Sequence, residues 1–223
     1  MPELQGALEI KWVRDSEEYA ALSRMVYRLG VRAVTESARR VPRGRAWAVV
    51  LDVDETALDN SLYQLSRVAY RLAYDTASWN AFVRRGESGM VPGTSELVAA
   101  VRQLGGRVAW ISNREESVRQ ATQANLAAQR LWADGDRLCL ATPDPQYHKA
   151  ARRAEVMAGT GACGWPGQPV EVVAYFGDNI QDFPRSGEND PDAGSDAAFG
   201  TRFFMLPNPL YGGWVTRVTR IDR

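Results

Sequence analysis

The chain has 223 residues, with 45% apolar, 24% charged and 9% aromatic side chains, and its 27 basic residues balance 27 acidic ones. That length makes one generous domain, or a core with one insertion, and can bury a full two- or three-layer core. The zero net charge argues against a binder of nucleic-acid polymers or acidic membranes, seven tryptophans argue against disorder of the whole chain, and no apolar run approaches the ~20 residues that cross a bilayer.

In chain order, the opening MPELQGALEI lacks the charged start, apolar stretch and cleavage site of a secretory signal, so the compartment stays open between cytoplasm and an export route whose leader has been removed. Residues 15–40 read as one amphipathic helix with Leu22, Met25, Val26 and Leu29 on its inner face. Asp15 or Ser16 caps its start, and Pro42 and Gly44 end it. Residues 46–53 (AWAVVLDV) form a continuous Val-rich run, as expected of a strand buried on both faces. Residues 57–90 read as a helical cap of two short helices around Asp75 and Thr76, inserted after that strand. Further strands are expected at 107–111, 137–141, 171–176 and 202–206, with helices clearest at 94–104 and 115–131. Strands alternating with helices imply an α/β fold with a doubly wound parallel sheet, which places its ligand at the carboxyl ends of the strands. The core is therefore expected at 1–56 and 91–223. Within it, 184–200 reads as a mobile loop from its Gly, Pro and Asp content. Cys139 reads as a small buried hydrophobe and Cys163 as a loop residue, and their pairing is left open.

The chemistry gathers at the expected strand ends. The first strand runs into LDVDETALDNS, which sets Asp52 and Asp54 two residues apart. Two carboxylates this close repel unless one holds a proton or a cation sits between them, which suits a nucleophile and a general acid bridged by Mg²⁺. The same Asp-x-Asp-x-Thr run also fits an acidic turn capped by Thr56. WISNR places Ser112 and the following amides at an expected helix start, where they would cradle an oxyanion. YFGDNIQDF places Asp178 and Asp182 at the same edge. Lys149 is one of only two lysines in an Arg-rich chain; it reads either as a point charge for phosphate or as a surface lysine. His148 reads as a partly exposed loop residue, and Arg84–Arg85 and Arg152–Arg153 as solvated helix faces, with Arg152 a turn beyond Lys149.

Taken together, LDVDET, ISN, Lys149 and GDNIQD resemble the four motifs of the haloacid dehalogenase superfamily of phosphohydrolases. VVLDVDETALDNSLYQ paired with VVAYFGDNIQDF is similar to the signatures of bacterial class C acid phosphatases, the outer-membrane lipoprotein and 5′-nucleotidase type. The likeness extends through IKWVRDSEEY, WNAFV, VPG and LPNPLYGGW. It implies a Rossmann-like core with a small cap. The implied activity is Mg²⁺-dependent hydrolysis of phosphomonoesters, notably nucleoside 5′-monophosphates. Asp52 would be the nucleophile and Asp54 the general acid, already protonated at acid pH. Mg²⁺ would be held by Asp52, the Asp54 carbonyl and Asp178, with Asp182 acting through a water and Thr56 close by. Phosphate would be held by Ser112, Asn113 and Lys149. Tyr63, Trp79 and Tyr211 would flank the organic part of the substrate, while Trp214 divides evenly between pocket and packing. Ile180 replaces a usual Leu, and the lipid-bearing Cys of the family's leader is not in the sequence. The resemblance therefore implies a periplasmic or outer-membrane location only with a removed leader. The implied partner is a small phosphomonoester, and a homodimer is compatible with the chain.

Three other readings share parts of this pattern. Phosphotransfer to an alcohol would use the same residues. A phospho-accepting receiver carries its acceptor on a later strand than its acidic pair, whereas Asp52 and Asp54 share one strand. A non-catalytic ligand-binding protein on this scaffold usually loses the nucleophile, and here each catalytic position is filled.

Overall fold

The structure, a computed structural model, describes residues 8–217. A short helix α1 (Leu8–Asp15) leads into the long α2 (Glu17–Arg40), whose start is capped by Ser16 Oγ accepting from the Tyr19 amide at 3.0 Å. There follow β1 (Trp47–Leu51), β2 (Leu58–Asp59), α3 (Ser61–Tyr70), α4 (Thr76–Arg85) and β3 (Gly89–Met90). The core resumes with α5 (Thr94–Gln103), β4 (Arg107–Glu115), α6 (Arg119–Ala128), β5 (Arg137–Ala141), α7 (Lys149–Ala158), β6 (Glu171–Gly177) and β7 (Phe203–Met205). The five long strands form a parallel sheet in the order β5-β4-β1-β6-β7.

Each face of that sheet carries its own core, the arrangement of a doubly wound fold. Val49, Leu51, Trp110 and Phe176 pack toward α2, α5 and α6, whereas Ala48, Val50, Ile111 and Tyr175 pack toward α7 and the segment around Cys163 and Trp165. Burial on both faces is why the strands read as unbroken apolar runs. Cys139 and Cys163 are both buried and both free thiols.

The inner face of α2 is the expected one only at Val26, which packs against the core. Leu22, Met25 and Leu29 are 40%, 44% and 40% exposed, while Tyr19, Ser23, Tyr27, Gly30 and Val34 face the core. The reason is close approach: a Cβ on Gly30 would stand 2.4 Å from Cε1 of Phe176, so only a glycine lets the helix lie this near β6. Tyr27 then reaches past the sheet edge and donates its hydroxyl to the Thr56 carbonyl at 2.6 Å, tying α2 to the turn after β1.

Residues 57–90 hold α3 and α4 between the two strands of a small antiparallel ribbon, β2 with β3. Their core is Tyr63, Phe82 and Val83, packed against Val118, the residue immediately before α6. Residues 184–200 have one helical turn, at 196–198, and several anchors. Arg153 forks onto Glu188 at 2.7 Å, and Asp190 accepts from Arg202 and from Tyr175 Oη.

Candidate active site

The turn after β1 carries the strand's hydrogen bonding one residue further, through the Asp52 amide to the Phe176 carbonyl at 2.9 Å, and then reverses. Glu55 takes a left-handed conformation there, φ 53°, uncommon for a side chain with a Cβ. This reversal turns Asp52 and Asp54 to different neighbours at the carboxyl edge of the sheet.

Asp52 meets Asp178, at the end of β6, and Asp182, on the 3-10 turn Ile180–Asp182; one oxygen from each of the three lies within 4.8 Å of the others. Lys149, the first residue of α7, spans two of them, with Nζ 2.6 Å from Asp52 Oδ1 and 2.5 Å from Asp182 Oδ1. Burial pushes the Asp52 carboxyl well above its usual range, against the pull of Lys149 and with the charges of Asp182, Asp178 and Asp54 adding to it. Asp178 is pushed up to about 6 by burial and by Asp182, although Asn208 and Thr56 both donate to it, at 2.7 and 3.0 Å. Lys149 stays charged: burial works against the ammonium, but its two carboxylate partners more than offset that. An all-carboxylate donor set crowded to this distance fits a hard divalent cation, which takes oxygen ligands and would relieve the repulsion.

Asp54 faces the other way. Its Oδ2 accepts from Ser112 Oγ at 3.0 Å, and its Oδ1 from Asn60 Nδ2 and Arg114 Nε, both at 2.9 Å. Arg114 is itself fully buried, reaching Thr122 Oγ1 at 3.2 Å and lying 5.5 Å from the centre of the Trp79 ring. Asn60 is held by Ser88 Oγ, 2.6 Å from its carbonyl oxygen, and also donates to Glu55. Burial and the charges of Asp54 and Asp178 raise Glu55, whose carboxyl also accepts from Tyr211 Oη.

These groups line a cleft of about 410 Å³ between the sheet edge and residues 61–85. Of the residues expected at the site, Asp52, Asp54, Asp178, Asp182, Asn113, Lys149, Trp79 and Tyr211 line it, and Thr56 and Ser112 lie directly behind. Tyr63 does not. It is buried under Trp79, ring centres 5.0 Å apart, with its hydroxyl on Ser78, and Tyr74 stands at the cleft in its place.

The surroundings of Ser112 and α7 depart from expectation in two ways. β4 runs on to Glu115, and helical chain begins only with the 3-10 turn Glu116–Val118 that leads into α6, so the amides following Ser112 are in extended chain rather than at a helix start. Arg152 and Arg153 are 1% and 2% exposed, not solvated: Arg152 holds the Ser112 carbonyl at 2.5 Å and Asn113 Oδ1 at 2.6 Å. His148 is exposed and caps α7. Sequence reasoning missed Arg114, Asn60, Glu55, Asn208 and Tyr74. Arg114 had a signal, since it directly follows Ser112 and Asn113 in WISNR and is the cation nearest a lone carboxylate.

The sequence profile of the HAD superfamily, subfamily IIIB (Acid phosphatase), matches residues 3–214. Two solved structures of the class C acid phosphatase from Bacillus anthracis share 28% of their residues with this chain, each over 95% of this chain and 86% of the other. They superpose with TM-scores of 0.79, for the form with tungstate bound, and 0.78.

Proposed function

The chain belongs to subfamily IIIB of the HAD superfamily, the acid phosphatases, and on that premise we propose that it hydrolyses nucleoside 5′-monophosphates with Mg²⁺ through a phosphoryl group carried on Asp52. That it is a phosphoric monoester hydrolase follows from the family; the metal, the roles of the residues and the substrate class are our reading. What carries it is the joint placement of Asp52, Asp178, Asp182 and Lys149 at one strand edge, beside a cleft with aromatic walls.

In this reading Asp52 and Asp178, with the Asp54 backbone carbonyl, would hold a Mg²⁺, and Asp182 would act through a water. The cation supplies charge neutralisation on the phosphoryl oxygens. Asp52 attacks phosphorus in line, while Lys149, already against Asp52, fixes the attacking oxygen and offers its charge to the phosphate. Asp54 delivers a proton to the departing oxygen and takes one back from the water that then attacks the phosphoaspartate. Ser112, Asn60 and Arg114 keep the Asp54 carboxyl aimed. Trp79, Tyr74 and Tyr211 present faces for a nucleobase, a stacking worth ~1–3 kcal/mol per base.

The test is phosphate release from nucleoside monophosphates, sugar phosphates and p-nitrophenyl phosphate, with Mg²⁺ or EDTA, for wild type and Asp52→Asn. Metal-dependent release lost in Asp52→Asn supports the reading, and release unchanged in that variant overturns it. Trp79→Ala is expected to raise KM about tenfold for nucleoside monophosphates, in line with one lost stacking partner, and far less for p-nitrophenyl phosphate. Equal changes for both would remove the base-stacking role.

A further inference from the structure

Three cationic side chains line the cleft, and two of them are committed. Lys149 lies between Asp52 and Asp182, and Arg114 is paired with Asp54 at 2.8 Å. The third, Arg67, comes from α3 and also lines the cleft. Among the described residues it makes no ion pair within 4.0 Å; Glu9 lines a separate cleft that Arg67 also borders. Its contacts position it without neutralising it. Nη1 donates to Gln64 Oε1 at 2.9 Å, and the guanidinium lies 5.9 and 5.8 Å from the ring centres of Tyr63 and Tyr74, while Nε is buried with no partner.

A guanidinium held partly out of water between two aromatic rings, with donors to spare, is complementary to a planar or tetrahedral oxyanion. Gln64 and Arg67 are one helical turn apart and both face the cleft, so an anion there would be bound from α3 rather than from the sheet edge that carries Asp52. We propose that Arg67 receives a second oxyanion of the substrate, making this a phosphatase that favours phosphomonoesters carrying another phosphate or a carboxylate away from the scissile group. This rests on the phosphatase reading above.

The test compares matched pairs: a nucleoside 5′-monophosphate against its 3′,5′-bisphosphate, and glycerol 3-phosphate against 3-phosphoglycerate. Wild type, Arg67→Gln and Arg67→Lys are assayed on both pairs. The expected result is a kcat/KM about tenfold higher for the doubly anionic member of at least one pair in wild type, the effect of one charge-assisted contact. Arg67→Gln collapses that ratio toward one, and Arg67→Lys retains most of it. A preference in one pair alone identifies the anion. No preference in wild type, or a ratio untouched by Arg67→Gln, overturns the proposal, as does loss of thermal stability in Arg67→Gln with the ratio intact, which assigns Arg67 to cap packing. Calorimetry of the bisphosphate with Asp52→Asn, with and without Arg67→Gln, separates the two readings. If p-nitrophenyl phosphate is not turned over, the phosphatase reading fails while the anion site still stands on about tenfold weaker binding in the double variant; equal binding overturns it too.

Discussion

Arg152 shows how much of a site can rest on one buried side chain outside the cleft lining. It is fully buried, burial pulls its guanidinium below the usual arginine range, and its donors hold the Ser112 carbonyl, the Cys139 carbonyl and Asn113 Oδ1. It thus links α7 to the ends of β4 and β5, immediately behind the cleft. Arg152→Met keeps most of the volume but leaves three acceptors unpaired, at a cost of about 2–4 kcal/mol. Thermal denaturation is expected to show a fall of roughly 5–15 °C, and p-nitrophenyl phosphate kinetics a loss of at least about tenfold in kcat/KM as Asn113 loses its orientation. A variant with wild-type melting and wild-type rate would show that these contacts carry nothing. Asn60→Ala tests the same idea at Asp54, where kcat is expected to fall about tenfold or more because the proposed proton donor loses one of the groups aiming it. An unchanged kcat would mean that Arg114 and Ser112 hold Asp54 without help. The acids and Lys149 were legible because they sit in ordered motifs at strand ends. Arg152 and Arg153 were not, because two adjacent arginines on a helix look solvated when their partners, Ser112, Asn113 and Glu188, lie 35 to 40 residues away in sequence.

At the scale of elements, the strands were legible and the long helix was misread for one physical reason. A strand buried on both faces must be apolar throughout, so β1, β5 and β6 announce themselves within a residue or two. A helix needs only one face to fit, and fit need not mean the largest aliphatics. α2 buries Ser23 and Gly30 beside Tyr19, Tyr27 and Val34, at spacings of four, four, three and four residues, because Phe176 occupies the space a larger side chain would take. Hydrophobic periodicity alone therefore selects Leu22, Met25 and Leu29. Gly30→Ala is a direct check. On a solvent-facing helix position this change stabilises by up to about 1 kcal/mol, but here the added methyl collides with Phe176. Urea denaturation is expected to show a loss of about 1–3 kcal/mol. A gain in stability would mean that α2 has room to move off β6. The Tyr27–Thr56 hydrogen bond makes the same variant informative about catalysis, since a displaced α2 pulls on the turn that aims Asp52 and Asp54.

For the whole molecule, a metal held by the acid cluster, as proposed, would make stability, pH and metal a single linked system. Asp52, Glu55 and Asp178 have folded-state pKa values above those of the unfolded chain, Asp178 at about 6, and Asp136 is raised as well, all with burial as the leading cause. Between about pH 7 and pH 4 the folded, metal-free protein therefore binds protons that the unfolded chain does not yet hold, and its stability rises as pH falls through that window. The shift at Asp178 alone corresponds to on the order of 1–3 kcal/mol, or several degrees of melting temperature in a chain of this size. Asp190 works in the opposite sense. Burial would raise it, but Arg202 and Tyr175 hold it below the usual range, so its contribution is present above about pH 4 and is lost only below that. With saturating Mg²⁺ the sign is expected to reverse. The cation stabilises the ionised cluster by mass action, and protons compete with it, so stability falls as pH is lowered from 7 toward 5. Melting temperatures from pH 4.5 to 8, in EDTA and in Mg²⁺, should thus slope in opposite directions and converge at the acid end. Parallel curves would mean that Asp52, Asp178 and Asp182 do not share a cation. In that case Lys149 alone would have to offset the cluster's charge, and the ordering of Asp52 for attack would rest on the ammonium rather than on a metal.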